Sequence, residues 1–211
     1  QPSIKRVDAT GKATGEAIFA DDIILRPMLA GKILRSPHHH ARILNIDTSM
    51  ARKLLGVKAV ITAAEWPGVK IGPKVQDEEV LAVSKVRFVG DHVAAVAAVD
   101  EDTAEEALSL IKVEYAPLPA VFNASEAMRP DAPNVHDSTS NIARHLSYTR
   151  GDIDGGFSQA DLIFEETFRT HRVSSAAIEP VCCIAQFESS GRGQIWAGLT
   201  DIFGLRRVLS V

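Results

Sequence analysis

A chain of 211 residues, 45% hydrophobic and 24% charged, can bury a core without disulfides or a structural metal. Its formal net charge of −4 excludes a general electrostatic attraction to nucleic acid or an anionic membrane. No apolar run approaches the roughly 20 residues that span a bilayer, and the start, Gln1-Pro-Ser-Ile-Lys5, lacks the apolar core of a secretory signal.

The first fifty residues read as extended pieces joined by loops. Met28–Arg35 predicts a strand, stopped by Ser36-Pro37, and Ala41–Ile46 predicts a second. Asp47-Thr48 offers an N-cap for a short helix. Met50, Ala51, Leu54 and Leu55 share its face, and Gly56 sits where a C′ glycine belongs. Val57–Ile61 predicts the strand that follows. From Trp66 to Val80 the chain is polar and carries Gly68, Gly72 and Pro73, which predicts a loop. Val86–Val89 and His92–Val99 are apolar and β-branched, hence short buried strands. Thr103 and Glu106 have capping-box spacing, and Ala104, Ala107, Leu108 and Ile111 make one apolar helix face. Val113–Tyr115 resumes an extended course until Pro117 and Pro119. This alternation has no sustained βαβα rhythm, so the expected fold class is α+β.

Residues 123–150 are rich in Pro, Asn, Ser and Asp, the composition of an inter-domain connection. Strand signals return at Leu162–Phe168, Cys183–Phe187 and Gln194–Trp196. The turn residues Ser189–Gly193 make the last two a hairpin. Phe203–Val211 has helical spacing with no C-cap residue, and the expectation is that the natural chain continues past it.

The readable catalytic motifs are absent: no G-x-x-x-x-G-K-[ST], no G-x-G-x-x-G between strand and helix, no G-x-S-x-G and no H-E-x-x-H. His38-His39-His40 could place two imidazoles on one strand face, but a metal needs a third or fourth ligand, so a polar turn is the better reading. Cys182-Cys183 cannot supply the four spaced ligands of an iron–sulfur cluster. So few cysteines fit a reducing, cytoplasmic setting. Asp21-Asp22 falls short of the oxygens calcium takes and reads as a solvated turn. Asp100-Glu-Asp102 is placed to complement a helix amino terminus. Glu179-Pro180 lies between apolar stretches, where a buried carboxylate would need a partner, structural or catalytic.

Several ordered blocks resemble the molybdopterin-binding large subunit of the xanthine dehydrogenase/aldehyde oxidase family. They begin with Arg6-Val-Asp8, Lys12-Ala-Thr-Gly15 and Ala20-Asp-Asp-Ile23. Leu34-Arg-Ser-Pro37, His40-Ala-Arg-Ile43, Ile46-Asp47, Gly56-Val57, Ala59-Val60 and Thr62-Ala63 follow. Val86-Arg-Phe-Val-Gly90, Val93-Ala-Ala-Val96, Ala104–Ala107, Val113-Glu-Tyr115 and Leu118-Pro119 continue in register. Asn141, Gly151-Asp152, Ala160-Asp161, His171 and Ile178-Glu-Pro180 extend the series beyond the connection. Any one block is weak; the order and spacing of all of them carry the likeness.

The resemblance implies an α/β-hammerhead domain at 10–122, a linker at 123–147, and the beginning of a molybdopterin-binding domain at 148–211. It implies part of a molybdenum-dependent oxidoreductase that hydroxylates or dehydrogenates aldehydes, N-heterocycles or aromatic acyl-CoA compounds, with water as the hydroxylating oxygen source. Iron–sulfur clusters and FAD would sit on partner subunits or domains, so a heteromeric, cytoplasmic complex is expected. The family's base is a glutamate far toward the carboxyl end, so no catalytic residue and no metal ligand is expected here. This chain alone is expected to be inactive and free of molybdenum.

One motif departs from the family pattern. Where the family carries a Gln that contacts the molybdenum oxo group, Ile195-Trp196 leads instead to Thr200-Asp201. Thr200 and Asp201 are therefore the candidate cofactor-binding residues, with a shorter side chain than the family's amide at position 200. The alternative from another class is a non-catalytic assembly module that docks iron–sulfur and flavin subunits.

Overall fold

The computed structural model describes residues 4–65, 70–72, 75–138 and 140–209. Parts of the expected Trp66–Val80 loop (66–69 and 73–74) and the last two residues of the expected terminal helix lie outside the described residues. The chain divides into two compact units. One is Arg26–His145; the other joins the described residues up to Leu25 to Leu146–Leu209.

The second unit opens with a helix α1 at Ala9–Thr14 and a 3-10 turn at Ala20–Asp22, where the sequence reading has only extended pieces. The helix is short and buries no residue, so no apolar periodicity announces it. It is closed by Gly15 in the left-handed region at φ 78°. Local polar contacts hold it: Lys12 pairs with Asp8 at 2.7 Å, and Thr14 Oγ1 donates to the Thr10 carbonyl at 3.0 Å.

In Arg26–His145 the elements run β1 (Ala30–Arg35), β2 (Ala41–Asp47), α2 (Ser49–Lys53), β3 (Val57–Thr62), β4 (Lys70–Ile71), β5 (Glu78–Glu79), β6 (Lys85–Val86), β7 (His92–Ala98), α3 (Glu101–Ser109), β8 (Lys112–Pro117) and α4 (Ala124–Ala127). Two three-stranded antiparallel sheets have the orders β1-β7-β3 and β6-β2-β8, and β4 pairs with β5. Helices packed on antiparallel sheets make this an α+β fold, as the mixed alternation in the sequence predicts.

The central strand β7 explains the packing. Ala94, Val96 and Ala98 are buried and join Val60 from β3, Ala51 from α2, and Ala104, Ala107 and Ile111 from α3 and its exit. Alanines at the contacts let α3 approach the sheet closely, while Leu34, Leu54 and Leu108 fill the margins. A second cluster of Ala41, Ala82, Val86 and Val93 lies under Ile43 and Tyr115 of the other sheet.

Four sequence expectations are corrected here. The α3 cap is not the Thr103–Glu106 pair: Asp100 has extended backbone and its Oδ1 accepts the Thr103 N–H at 2.8 Å, so the helix starts one turn earlier. Met50 and Leu55 are exposed: Ala51, not Met50, is the residue that α2 buries, and Leu54 is already extended, which takes Leu55 off the helix. Gly56 turns the chain at φ 96°, where a β-carbon would stand 3.0 Å from Val99 Cγ2. The strand expected at Val86–Val89 stops at Val86, because Asp91 Oδ2 accepts the Arg87 N–H at 2.9 Å and draws the chain into a turn. The Trp66–Val80 region holds the β4–β5 ladder rather than loop alone.

The fifth departure is in the other unit, where α5 (Ile153–Ser158), β9 (Cys183–Phe187), β10 (Gly193–Ala197) and α6 (Ile202–Leu209) follow. Leu162–Phe168 forms no strand, and Leu162, Phe164 and Phe168 are exposed. Their β-favouring composition has no hydrogen-bonded neighbour among the described residues, and a strand needs one.

Candidate functional site

The hairpin predicted around residues 189–193 forms as β9–β10, in the register Gly193↔Phe187 through Ala197↔Cys183. Gly191, at φ 85°, closes the turn, with the Glu188 N–H donating to the Arg192 carbonyl at 2.9 Å. The Phe187 ring lies over Gly193, where a β-carbon would come within 2.7 Å of Cε1.

Beyond Ala197 the chain runs through Gly198, Leu199 and Thr200 into α6. Asp201 starts that helix: its Oδ1 accepts the Gly204 N–H at 2.8 Å, and its carbonyl accepts the Leu205 N–H at 3.1 Å. The Asp201 carboxylate lies where a β-carbon at Gly204 would stand, so a larger residue there would make the carboxylate shift. Thr200 is exposed and its hydroxyl makes no hydrogen bond among the described residues. The two candidate residues are thus adjacent on one strand-to-helix turn, one committed to the helix and the other free to meet something else.

Glu179 approaches the same turn. It is half-buried, and its carboxylate packs on Gly198, whose missing β-carbon would stand 3.0 Å from Oε1 and 3.1 Å from Cδ. This contact was not readable in the sequence, because it joins positions 19 residues apart across the hairpin. The Asp201 cap was readable, from an Asp three residues before a Gly at the head of an apolar helical pattern.

The remaining sequence candidates fall elsewhere. Cys182 and Cys183 are both free thiols. Burial pushes the Cys182 thiol up, and the nearby charges of Asp21 and Glu179 push the same way, the opposite of what activates a thiol nucleophile. Asp21 and Asp22 lie exposed in the 3-10 turn, where Asp22 Oδ2 accepts the Phe19 N–H at 2.9 Å.

In the Arg26–His145 unit the three histidines dock one by one on the chain leaving β8. His38 meets Tyr115 edge-on at 4.7 Å, and His39 meets Phe122 at 4.9 Å. His40 is buried, with Nδ1 donating to the Pro119 carbonyl at 2.7 Å. They are packing groups, and among the described residues no cluster of three His, Cys, Asp or Glu could hold a metal ion. No described helix is long and apolar enough to cross a membrane.

An open depression of about 310 Å³ lies between α5 and the following segment, lined by Ile153, Phe157, Leu162, Ile163 and Phe164 among others. Its lining residues carry no polar side chain, so any hydrogen bonds to a polar cofactor would fall to the backbone.

Residues 14–119 match the family profile described as the aldehyde oxidase and xanthine dehydrogenase a/b hammerhead domain, and residues 135–211 match the molybdopterin cofactor-binding domain. A probable xanthine dehydrogenase subunit of Bacillus subtilis is 38% identical over 216 residues, covering 100% of this chain and 29% of that protein. The nicotinate dehydrogenase large molybdopterin subunit of Eubacterium barkeri is 38% identical over 188 residues, covering 88% of this chain and 44% of that protein. Among solved structures, the reconstituted CO dehydrogenase from Oligotropha carboxidovorans superposes with a TM-score of 0.83 at 32% identity, over 98% of this chain and 28% of that one. The chain therefore spans less than half the length of each of these relatives.

Proposed function

The chain belongs to the aldehyde oxidase and xanthine dehydrogenase family, and from that premise we propose that it forms the amino-terminal part of the large subunit of a molybdopterin-dependent oxidoreductase. The substrates are aldehydes, N-heterocycles or aromatic acyl-CoA compounds. One observation carries the reading: a hammerhead match and a molybdopterin-domain match occur in that order in a single chain. The domains are assigned at 10–122 and 148–211 with a linker at 123–147. Iron–sulfur and flavin partners complete a cytoplasmic complex, a reading supported by relatives that are themselves named as subunits.

The residues present fit one wall of the cofactor's site. Thr200 offers an exposed hydroxyl without an internal partner among the described residues, on the turn that Asp201 caps. Asp201 serves that wall through its cap, which fixes where α6 begins and hence where Thr200 stands. When bound, the molybdenum–pterin group supplies the two-electron redox chemistry. This chain's residues hold and orient it, and exclude water from one side. No base is assigned among them.

The test is expression of the complete reading frame with its partner subunits, followed by molybdenum and pterin analysis. Dye-linked oxidation of benzaldehyde, xanthine and nicotinate is assayed alongside. Stoichiometric molybdenum with turnover of any one is the expected result. A folded, assembled complex free of both metal and pterin would overturn the reading in favour of an assembly module.

A further inference from the structure

Three residues, Gly198, Leu199 and Thr200, bridge β10 and α6 without belonging to either. The strand pairing ends at Ala197↔Cys183 and the helix cap begins at Asp201, so this bridge takes its position from whatever packs on it. At Gly198 the side chain that does so is Glu179.

Gly198 is not a conformational necessity. Its backbone lies outside the left-handed region that Gly15, Gly56 and Gly191 occupy. What the glycine provides is room. A β-carbon at 198 would stand 3.0 Å from Glu179 Oε1, 3.1 Å from Cδ and 3.4 Å from Oε2, so the carboxylate fills the space a side chain would take. Glu179 is itself aimed by sequence. Pro180 follows it and restricts its backbone to extended conformations, which narrows the directions its side chain can take. Its carboxylate has no hydrogen-bond or ion-pair partner among the described residues, so no competing contact draws it away from Gly198.

We propose that Glu179 is a positioning residue for the Gly198–Asp201 turn: its carboxylate occupies the space left by Gly198 and fixes the backbone that carries Thr200. The role rests on the reading of Thr200 as part of the cofactor-facing wall, and it acts through that turn rather than by touching the reacting atoms. Geometric control of this kind is potent, since a misplacement of about 1 Å at a reacting centre costs on the order of 10²-fold in rate.

The experiment compares Glu179→Ala, Glu179→Gln and Gly198→Ala with wild type in the full-length subunit, assembled with its partners. Hydrogen exchange by mass spectrometry reads the turn directly. Exchange across residues 198–203 should rise at least about threefold in Glu179→Ala and Gly198→Ala, stay near wild type in Glu179→Gln, and be unchanged in β7 and α3, on the premise that loosened backbone opens more often. Gly198→Ala pushes the carboxylate out without deleting it, so it separates the contact from general loss of the side chain. The reduced enzyme's Mo(V) electron paramagnetic resonance spectrum and kcat with benzaldehyde then report on the site. A shifted spectrum and a kcat reduced about tenfold at unchanged molybdenum content are expected in the two disruptive variants. Unchanged exchange at 198–203 in Glu179→Ala would overturn the proposal whether or not the protein holds metal. Faster exchange with an unaltered spectrum and kcat would overturn the link to the site and leave Glu179 an ordinary packing residue. A wild-type complex without molybdenum would instead sink the functional reading, while the exchange result still scores the contact.

Discussion

Arg87 and Glu79 form an ion pair at 3.2 Å whose side chains are only 10% and 12% exposed, so solvent screens it little. Deleting one partner of such a pair strands the other charge away from water, which costs about 3–5 kcal/mol. The surroundings decide where in that range each deletion falls. After Arg87→Met, Glu79 keeps the Val83 N–H, which donates to Oε2 at 3.0 Å, and methionine fills much of the aliphatic volume, so the loss should sit near 3 kcal/mol. After Glu79→Leu, the guanidinium is left with the Lys85 carbonyl at 3.4 Å. Its Nε already lacks a partner, so the loss should approach 5 kcal/mol. The double variant Glu79→Leu/Arg87→Met buries no stranded charge and should fall within about 1 kcal/mol of wild type. Urea unfolding at neutral pH, followed by far-ultraviolet circular dichroism and assembled into a double-mutant cycle, measures all three against one baseline. An Arg87→Met loss below about 1 kcal/mol would show that water reaches the pair. A double variant as unstable as the two single losses combined would show that the residues act separately, each through its own surroundings rather than through the other.

Three further outcomes follow from the same structure. Val60→Ala removes two methyl groups, at ~0.8 kcal/mol each, from a side chain 1% exposed between α2, α3 and β7, and the cavity adds to that; a loss of about 2–3 kcal/mol in urea is expected, and one below about 1 kcal/mol would mean the core collapses onto the gap. Hydrogen bonds from Thr62, side chain first and then backbone, hold the Glu65 carboxyl below its ordinary value, with the Arg52 guanidinium paired to it. A depressed carboxylate stabilises the fold above its unfolded pKa and loses that contribution as pH falls through the folded one, so Glu65→Gln should flatten the stability–pH curve below about pH 5; an identical acid limb in both proteins would refute the linkage. Asn141 accepts the Val135 N–H at 2.9 Å and donates to the carbonyls of Ala127 and Pro133, so Asn141→Ala should speed tryptic cleavage at Arg144, and an unchanged rate there would show that the segment is held by other contacts.

What the sequence made legible was what is local and repeated. Strands β1, β2, β3 and β8 emerge from alternation between turn residues, and β7 from an unbroken apolar run that fits a strand buried on both sides. The α3 face was legible but its start was not, because Asp100 and Thr103 both offer a cap in sequence. Only the backbone decides between them, and Asp100, at φ −152° and ψ 172°, is the residue outside the helix. The early end of β6 depends on Asp91, whose two oxygens accept the Arg87 and His92 N–H groups, a side-chain competition that no periodicity reveals. The candidate site divides the same way. Asp201 announces itself as a cap, Thr200 drew notice only through a family pattern it departs from, and the Glu179–Gly198 contact is a long-range meeting of two unremarkable positions.

The distribution of burial bears on how that turn could work. Among the described residues, every buried apolar side chain except Ala20 lies in Arg26–His145, whereas Phe164, Phe168, Val181, Ile202 and Phe203 of the other unit are exposed. A two-stranded hairpin such as β9–β10 is marginal in water unless further strands or helices cover its apolar face. A binding wall must hold its groups to within about 0.5 Å, which packing supplies and a bare hairpin does not. The Bacillus relative, of which this chain covers 29%, has the additional length to provide such cover. On the proposed function, Thr200 would acquire a defined position in two stages: the Asp201 cap and the Glu179 carboxylate would set the turn locally, and burial of the hairpin's apolar face by further chain would then make that setting rigid.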